Sequence, residues 1–272
     1  MSAIVAGTAD GRRAALGRQR ATADPGMGLL PPARKAAAPV PMITSGTEDA
    51  APGKGVCRVR SVFQQELEVL QQDVLRMGTI VEECIGEAVR ALNGGDETLA
   101  QEIIARDDVV DQMQRDIETH CLEMIALQQP IGGDLRIVST AIKMAGDLER
   151  MADHAVDIAR VTLRIKGQPL LLEIARMAEI AQGMTRDALL GYVRRDIDVA
   201  RTLSRADDIV DHLYSRIMGD LILYMAEDPR TIHHATHLVF VAQHLERVAD
   251  HATNLGESVV FLVSGERQAL NR

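Results

Sequence analysis

Among the acidic pairs spaced by four residues, four recur between the two halves of the chain: Asp107 with Asp111, Glu149 with Asp153, Asp207 with Asp211, and Glu246 with Asp250. On a helix, side chains four apart leave the same face, one turn from each other. Such pairs usually line a solvated face, because carboxylates are rarely buried unless paired. Here Glu149 falls between Ala145 and Ala152, where the apolar period of its segment calls for a core residue, and Glu246 falls likewise between Ala242 and Ala249. An ionised carboxylate turned inward loses hydration, and a bound cation offsets that loss. Eight oxygen-bearing side chains, four from each half of the chain, make two hard-ligand sets suited to iron, manganese, magnesium or calcium, and zinc also accepts carboxylates. The competing reading is a set of ion pairs with Arg106, Arg150, Arg205 and Arg247.

Other chemistries find less support. A ferritin-like di-iron oxidase, or a metal store on such a bundle, needs Glu-x-x-His pairs to bring carboxylate and imidazole to one ion, and the sequence has none. His154 and His251 directly follow Asp153 and Asp250, about 100° round a helix, so they are expected to serve a neighbouring surface or to support ligands from behind. His233 and His237 have the spacing of a metal pair but no evident third partner, and read as a polar helix entry. No nucleophile stands beside a base, and no Gly-rich phosphate loop or nucleotide fingerprint occurs, so no enzymatic activity is expected. Cys57, Cys84 and Cys121 are an odd number without a Cys-x-x-Cys pair, which suits a reducing compartment.

The elements that must carry the acids are helices. Aromatic residues make up 2% of the 272 and Trp is absent, which deprives strands of their favoured side chains, while Ala, Leu, Val, Met, Glu, Asp and Arg are abundant. Phe63, Leu67, Leu70, Val74, Met77, Val81, Cys84 and Ala88 recur at steps of three and four, the seam of a helix in a bundle. Asn93-Gly94-Gly95 ends that helix and Asp96 caps a second, expected to run to about Gln128 before Pro130. A third is expected from about Asp134 to Ile165, with Leu135, Val138, Ile142, Ala145, Ala152, Val156, Ala159 and Leu163 on its seam, closed by Gly167 and Pro169. Three more follow, at about Leu170–Arg194, Asp196–Ala226 and Thr231–Val263.

The second three repeat the first. Asp107-Asp108-Val109-Val110-Asp111 aligns with Asp207-Asp208-Ile209-Val210-Asp211 at an offset of 100. Leu148-Glu149-Arg150-Met151-Ala152-Asp153-His154 aligns with Leu245-Glu246-Arg247-Val248-Ala249-Asp250-His251 at 97, and Pro130 matches Pro229. The expected fold is all-α: two tandem three-helix bundles of antiparallel neighbours, at 57–166 and 167–272, preceded by a low-complexity tail over 1–56. That tail holds six of the nine prolines and nothing periodic to bury, so disorder is expected there, either as a basic interaction arm or as an over-extended start with Met42 as the true one.

Charge and hydropathy exclude further classes. The net charge is −9, and residues 1–60 hold nine Lys or Arg against four acids, which leaves −14 for the rest. Such a body opposes nucleic-acid binding, which rests on neutralising phosphates. No apolar run approaches the roughly 20 residues that span a bilayer, and Met1 to Leu16 lacks the apolar core of a secretion signal. A soluble cytoplasmic protein is expected.

At these residues the chain resembles the PhoU family of phosphate-transport regulators. The resemblance covers about residues 60–265 and rests on Gln129-Pro130-Ile131-Gly132-Gly133-Asp134-Leu135-Arg136, on Glu227-Asp228-Pro229-Arg230-Thr231-Ile232, and on the Glu-Arg-x-x-Asp cores of both halves. It implies multinuclear metal clusters of iron, zinc, manganese or magnesium. Their ligands would be Glu149, Asp153, Glu246 and Asp250 on the third helix of each repeat, with Asp107, Asp111, Asp207 and Asp211 on the second. Ala152 and Ala249 stand where the family usually has Gly. Asn254 and Glu257 keep the family's continuation, while Asp157 and Arg160 depart from it, which implies a first cluster with fewer or different ions. The resemblance further implies a homodimer that restrains the phosphate-starvation response and phosphate uptake by linking the ATPase of the phosphate ABC transporter to the sensor histidine kinase.

Overall fold

A computed structural model describes residues 54–165 and 172–270. The tail read as disordered lies, over residues 1–53, outside the described residues, as do Gly167 and Pro169. Six helices make up the fold: α1 Lys54–Gly94, α2 Glu97–Gln128, α3 Gly133–Thr162, α4 Leu172–Arg194, α5 Val199–Glu227 and α6 Ile232–Ser264, with a single 3-10 turn at Pro229–Thr231 before the last. No strand occurs among the described residues.

The helix ends follow from local chemistry. Gly95 takes φ +64° and Asp96 accepts a hydrogen bond from the Leu99 amide at 3.0 Å, so one turn stops α1 and starts α2. Gln129, left-handed at φ 49°, closes α2 just ahead of Pro130. In the second repeat the corresponding turn puts Arg195 at φ 54°, a conformation that suits glycine. Asp196 does not cap a helix: its carboxylate accepts from the Asp198 amide at 2.9 Å, and α5 starts three residues later than the expected Asp196, at Val199. Two further expectations are corrected. Helix α1 begins at Lys54, inside the stretch assigned to the tail, and α3 ends at Thr162 instead of Ile165.

Packing joins the two repeats more closely than two tandem bundles would require. In each repeat the third helix packs on the first and second, and α3 also packs along α6 while α1 packs along α4. Helices α2 and α5 lie outside this four-helix layer and each touches only its own repeat. One continuous apolar core therefore runs through both halves, from Leu67 and Val74 on α1 through Met144, Leu148 and Met151 on α3 to Leu245, Val248 and Leu255 on α6. Small residues permit the approach: Gly78 faces Leu189 and Gly86 faces Gln182 across α1 and α4, with Gln182 donating to the Glu82 carbonyl at 3.0 Å. The expected seams line this core except at Leu135, which is exposed in the first turn of α3, and at Phe63, Ile142 and Leu163, which sit at its edge. No helix among the described residues is long and apolar enough to cross a membrane.

Candidate metal centre

Antiparallel packing of α2 on α3 sets the acids of the first repeat against each other. Cys121 on α2 donates to the Val138 carbonyl on α3 at 3.7 Å, and the same antiparallel register brings Asp107 toward Asp153 and Asp111 toward Glu149. Burial raises the pKa of Asp107, and Asp153 and Asp111 raise it further. Glu149 is raised by burial and then by Asp153, Asp111 and Asp107, and Asp153 by burial and then by Asp111 and Asp157. The second repeat copies the arrangement with one deeper member. Asp207 is 8% exposed, and its pKa is pushed up to about 6, first by burial and then by Asp211 and Asp250. Glu246 and Asp250 are also raised, in each case chiefly by burial.

The eight predicted residues thus fall as two sets of four, one on each α2–α3 and α5–α6 seam, but they sit at the rim of the core and not within it, and in neither set do three carboxylates bring oxygens within 4.8 Å of one another. Asp153 and Asp211 are exposed, Asp207 is buried, and the other five are half-buried. This corrects the expectation that all face inward. Ala145, Ala152, Ala242 and Ala249, the small neighbours of Glu149 and Glu246, do lie in the core. Arginines take up part of the charge: Arg115 reaches Asp111 at 3.4 Å and Arg247 reaches Glu246 at 3.6 Å. Arg106, one of the expected partners, instead pairs with Glu87 at 2.6 Å. Burial and the neighbouring carboxylates nevertheless leave the members on α3 and α6, with Asp107 and Asp207, at raised pKa. A divalent cation there would relieve repulsion and desolvation together.

Sequence reasoning missed a tighter group. Among the described residues, the one set of three metal-type donors whose ligand atoms all lie within 4.8 Å is His154 and Asp157 on α3 with His244 on α6. The sequence marks His154 as a supporting group and Asp157 as a departure, and neither reading joins them to His244. The available signal was the 97-residue offset, which makes His244 the counterpart of Asp147 and so places it on the helix face that meets the other repeat. His233 and His237 stack edge to face with centroids 4.8 Å apart, and no third donor joins them in a set of this kind among the described residues.

With the geometry in view, the comparisons with known proteins decide the family. The PhoU-domain family model matches twice, over residues 74–162 and 174–259, one match per repeat. The chain belongs to the PhoU family. It is 40% identical over 216 residues to the phosphate-specific transport system accessory protein PhoU homolog of Clostridium acetobutylicum, covering 78% of this chain and 99% of that protein. The Aquifex aeolicus homolog is 41% identical over 205 residues, covering 74% and 93%. The crystal structure of PhoU from Pseudomonas aeruginosa superposes with a TM-score of 0.72 at 35% identity, over 75% of this chain and 100% of that one. The Streptococcus pneumoniae structure, described as a phosphate transport system regulatory protein, gives 0.72 at 31% identity, over 76% and 99%. The duplicated all-helical architecture is therefore that of PhoU proteins, and this chain is similar to accessory and regulatory proteins of phosphate transport. Both family matches lie within residues 74–259, so the first 73 residues take no part in them.

Proposed function

We propose that this PhoU protein is a metal-binding, non-enzymatic regulatory adaptor of phosphate homeostasis. In this reading it works in the cytoplasm as a homodimer, restrains phosphate uptake and the phosphate-starvation response, and links the ATPase of the phosphate ABC transporter to the sensor histidine kinase. The observation that supports the metal half is the placement of Asp107, Asp111, Glu149 and Asp153 on one helix seam, and of their counterparts Asp207, Asp211, Glu246 and Asp250 on the other, near enough to raise one another's pKa. Burial and like charge raise the pKa of the members on α3 and α6 and of Asp107 and Asp207. All-oxygen sets favour hard cations such as magnesium, manganese or iron, and zinc also accepts carboxylates.

Family membership supports the regulatory half, since the relatives named above are accessory or regulatory proteins of phosphate transport. An adaptor also needs docking surface. Outer helices α2 and α5 expose apolar side chains at repeat-related positions: Val109 and Leu122 on one, Ile209 and Ile222 on the other.

The test joins elemental analysis with a deletion. Purified wild type is expected to carry a few divalent ions per chain, and Glu149→Gln with Glu246→Gln to lose most of them. The deletion strain is expected to express phosphate-starvation genes when phosphate is plentiful. Equal metal content in wild type and double variant would end the cluster reading, and normal gene repression in the deletion strain would end the regulatory one.

A further inference from the structure

The contact between the two repeats is built on a local two-fold. Helices α3 and α6 run antiparallel, and the 97-residue offset relates His154 to His251, Asp147 to His244 and Asp157 to Asn254. Each motif histidine accordingly reaches across to the residue that stands seven positions before the other repeat's histidine. On one side His251 Nδ1 lies 3.1 Å from Asp147 Oδ1, an imidazole matched to a carboxylate. On the other, His154 meets another imidazole: the Nδ1 atoms of His154 and His244 are 3.3 Å apart, and Asp157 Oδ2 stands 3.9 Å from His244 Nε2.

We propose that His154, His244 and Asp157 form a single inter-repeat site for a borderline divalent transition ion such as zinc or cobalt, separate in ligand chemistry from the two carboxylate sets. Two nitrogens each about 2.0–2.1 Å from a tetrahedral ion stand roughly 3.3 Å apart, which is the separation found between the two imidazoles. Three protein donors within 4.8 Å leave a fourth position for water, the pattern of an open zinc site. Two imidazoles and one carboxylate select zinc, cobalt, nickel or copper over magnesium and calcium. All three residues are half-buried, so an ion can enter from solvent while the imidazoles stay oriented by packing. Supporting groups are in place as well. The His251 ring lies 5.9 Å from that of His154, and Asp147, which holds His251, keeps a buried second oxygen, Oδ2, without a hydrogen-bond partner.

The two-fold also explains why the site occurs once. At the related position His251 faces Asp147 and Asn254, so one imidazole and the anionic third donor are missing. An ion held here would tie α3 to α6 and so hold the two repeats together through side chains as well as through the shared core.

The test uses the full chain, stripped of metal by chelator and titrated with cobalt(II). Imidazole ligation at low coordination number gives intense visible bands, whereas six oxygen donors give weak ones. Wild type is expected to develop the intense bands to a stoichiometry of one. His244→Gln is expected to abolish them. Asp157→Asn, which installs the residue that the second repeat already carries at Asn254, is expected to weaken binding by at least the roughly 10–100-fold that follows loss of an outer-shell partner. Helical content by circular dichroism checks that each variant folds, and Asp157→Asn decides the matter if His244→Gln does not. Glu149→Gln with Glu246→Gln is expected to keep the bands, so failure of this site and failure of the carboxylate clusters are read separately. Absence of intense bands in wild type, or bands and affinity unchanged in both single variants, would reduce the imidazole contact to a hydrogen bond and overturn the proposal.

Discussion

Replacing Asp207 with Asn should stabilise the metal-free protein at neutral and higher pH while weakening it when divalent metal is present. Asp207 is the most buried of the eight acids, and its pKa stands at about 6 against an ordinary 3.8. Burial is the largest cause, followed by repulsion from Asp211 and Asp250. A carboxyl whose folded pKa is raised binds more protons folded than unfolded, so stability falls as pH rises through the interval between the two values. The penalty is absent below about pH 4 and fully present above about pH 6. At about 1.4 kcal/mol per pKa unit its ceiling is roughly 3 kcal/mol, or about 6–12 °C in melting temperature for a folded body of this size. Asn removes the charge while keeping the volume, so thermal unfolding of chelated protein should show Asp207→Asn melting higher at pH 8 and level with wild type at pH 4. With metal at about 1,000 times its Kd the order should reverse, because wild type then gains about 4.1 kcal/mol, more than the roughly 3 kcal/mol penalty, while the variant gains less. A variant less stable than wild type at pH 8 without metal, or a gain that persists at pH 4, would refute the argument that burial and the neighbouring carboxylates outweigh the Thr253 hydrogen bond at that charge.

Two further outcomes test the fold itself. Arg195, left-handed at φ 54° where the first repeat has Gly95, makes Arg195→Gly a stabilising change of about 1 kcal/mol, read as a shift in denaturant midpoint at constant slope. Gly78→Val drives new methyls into Leu189, whose side chain already occupies the space a Cβ would take. It should cost about 1–3 kcal/mol by the same measurement, and Leu189→Ala should restore part of the loss.

The acidic pairs and their helices were legible because the information is short-range. Asp96 and Pro130 stop and start helices through atoms within four residues, and the observed α2 begins and ends within one residue of the expected limits. The expected start of α5 at Asp196 falls three residues early, because an aspartate at a helix start has two local choices. Asp196 resembles Asp96 but spends its carboxylate on the Asp198 amide, and the helix starts later. The expected seam also overreaches at Leu135, which keeps the apolar period into a first turn that no neighbouring helix covers.

By itself the sequence determined six helices, the face each presents and the duplication that pairs them, since apolar period, caps and repeat offset are all written in neighbouring residues. Only the tertiary structure decided that the repeats share one core, that Asp207 is buried while Asp153 is exposed, and that His244 meets His154 and Asp157. Those outcomes depend on the register of α3 against α6 and of α5 against α6. That register is set by the packing of small and large side chains from segments far apart along the chain, and no local spacing encodes it.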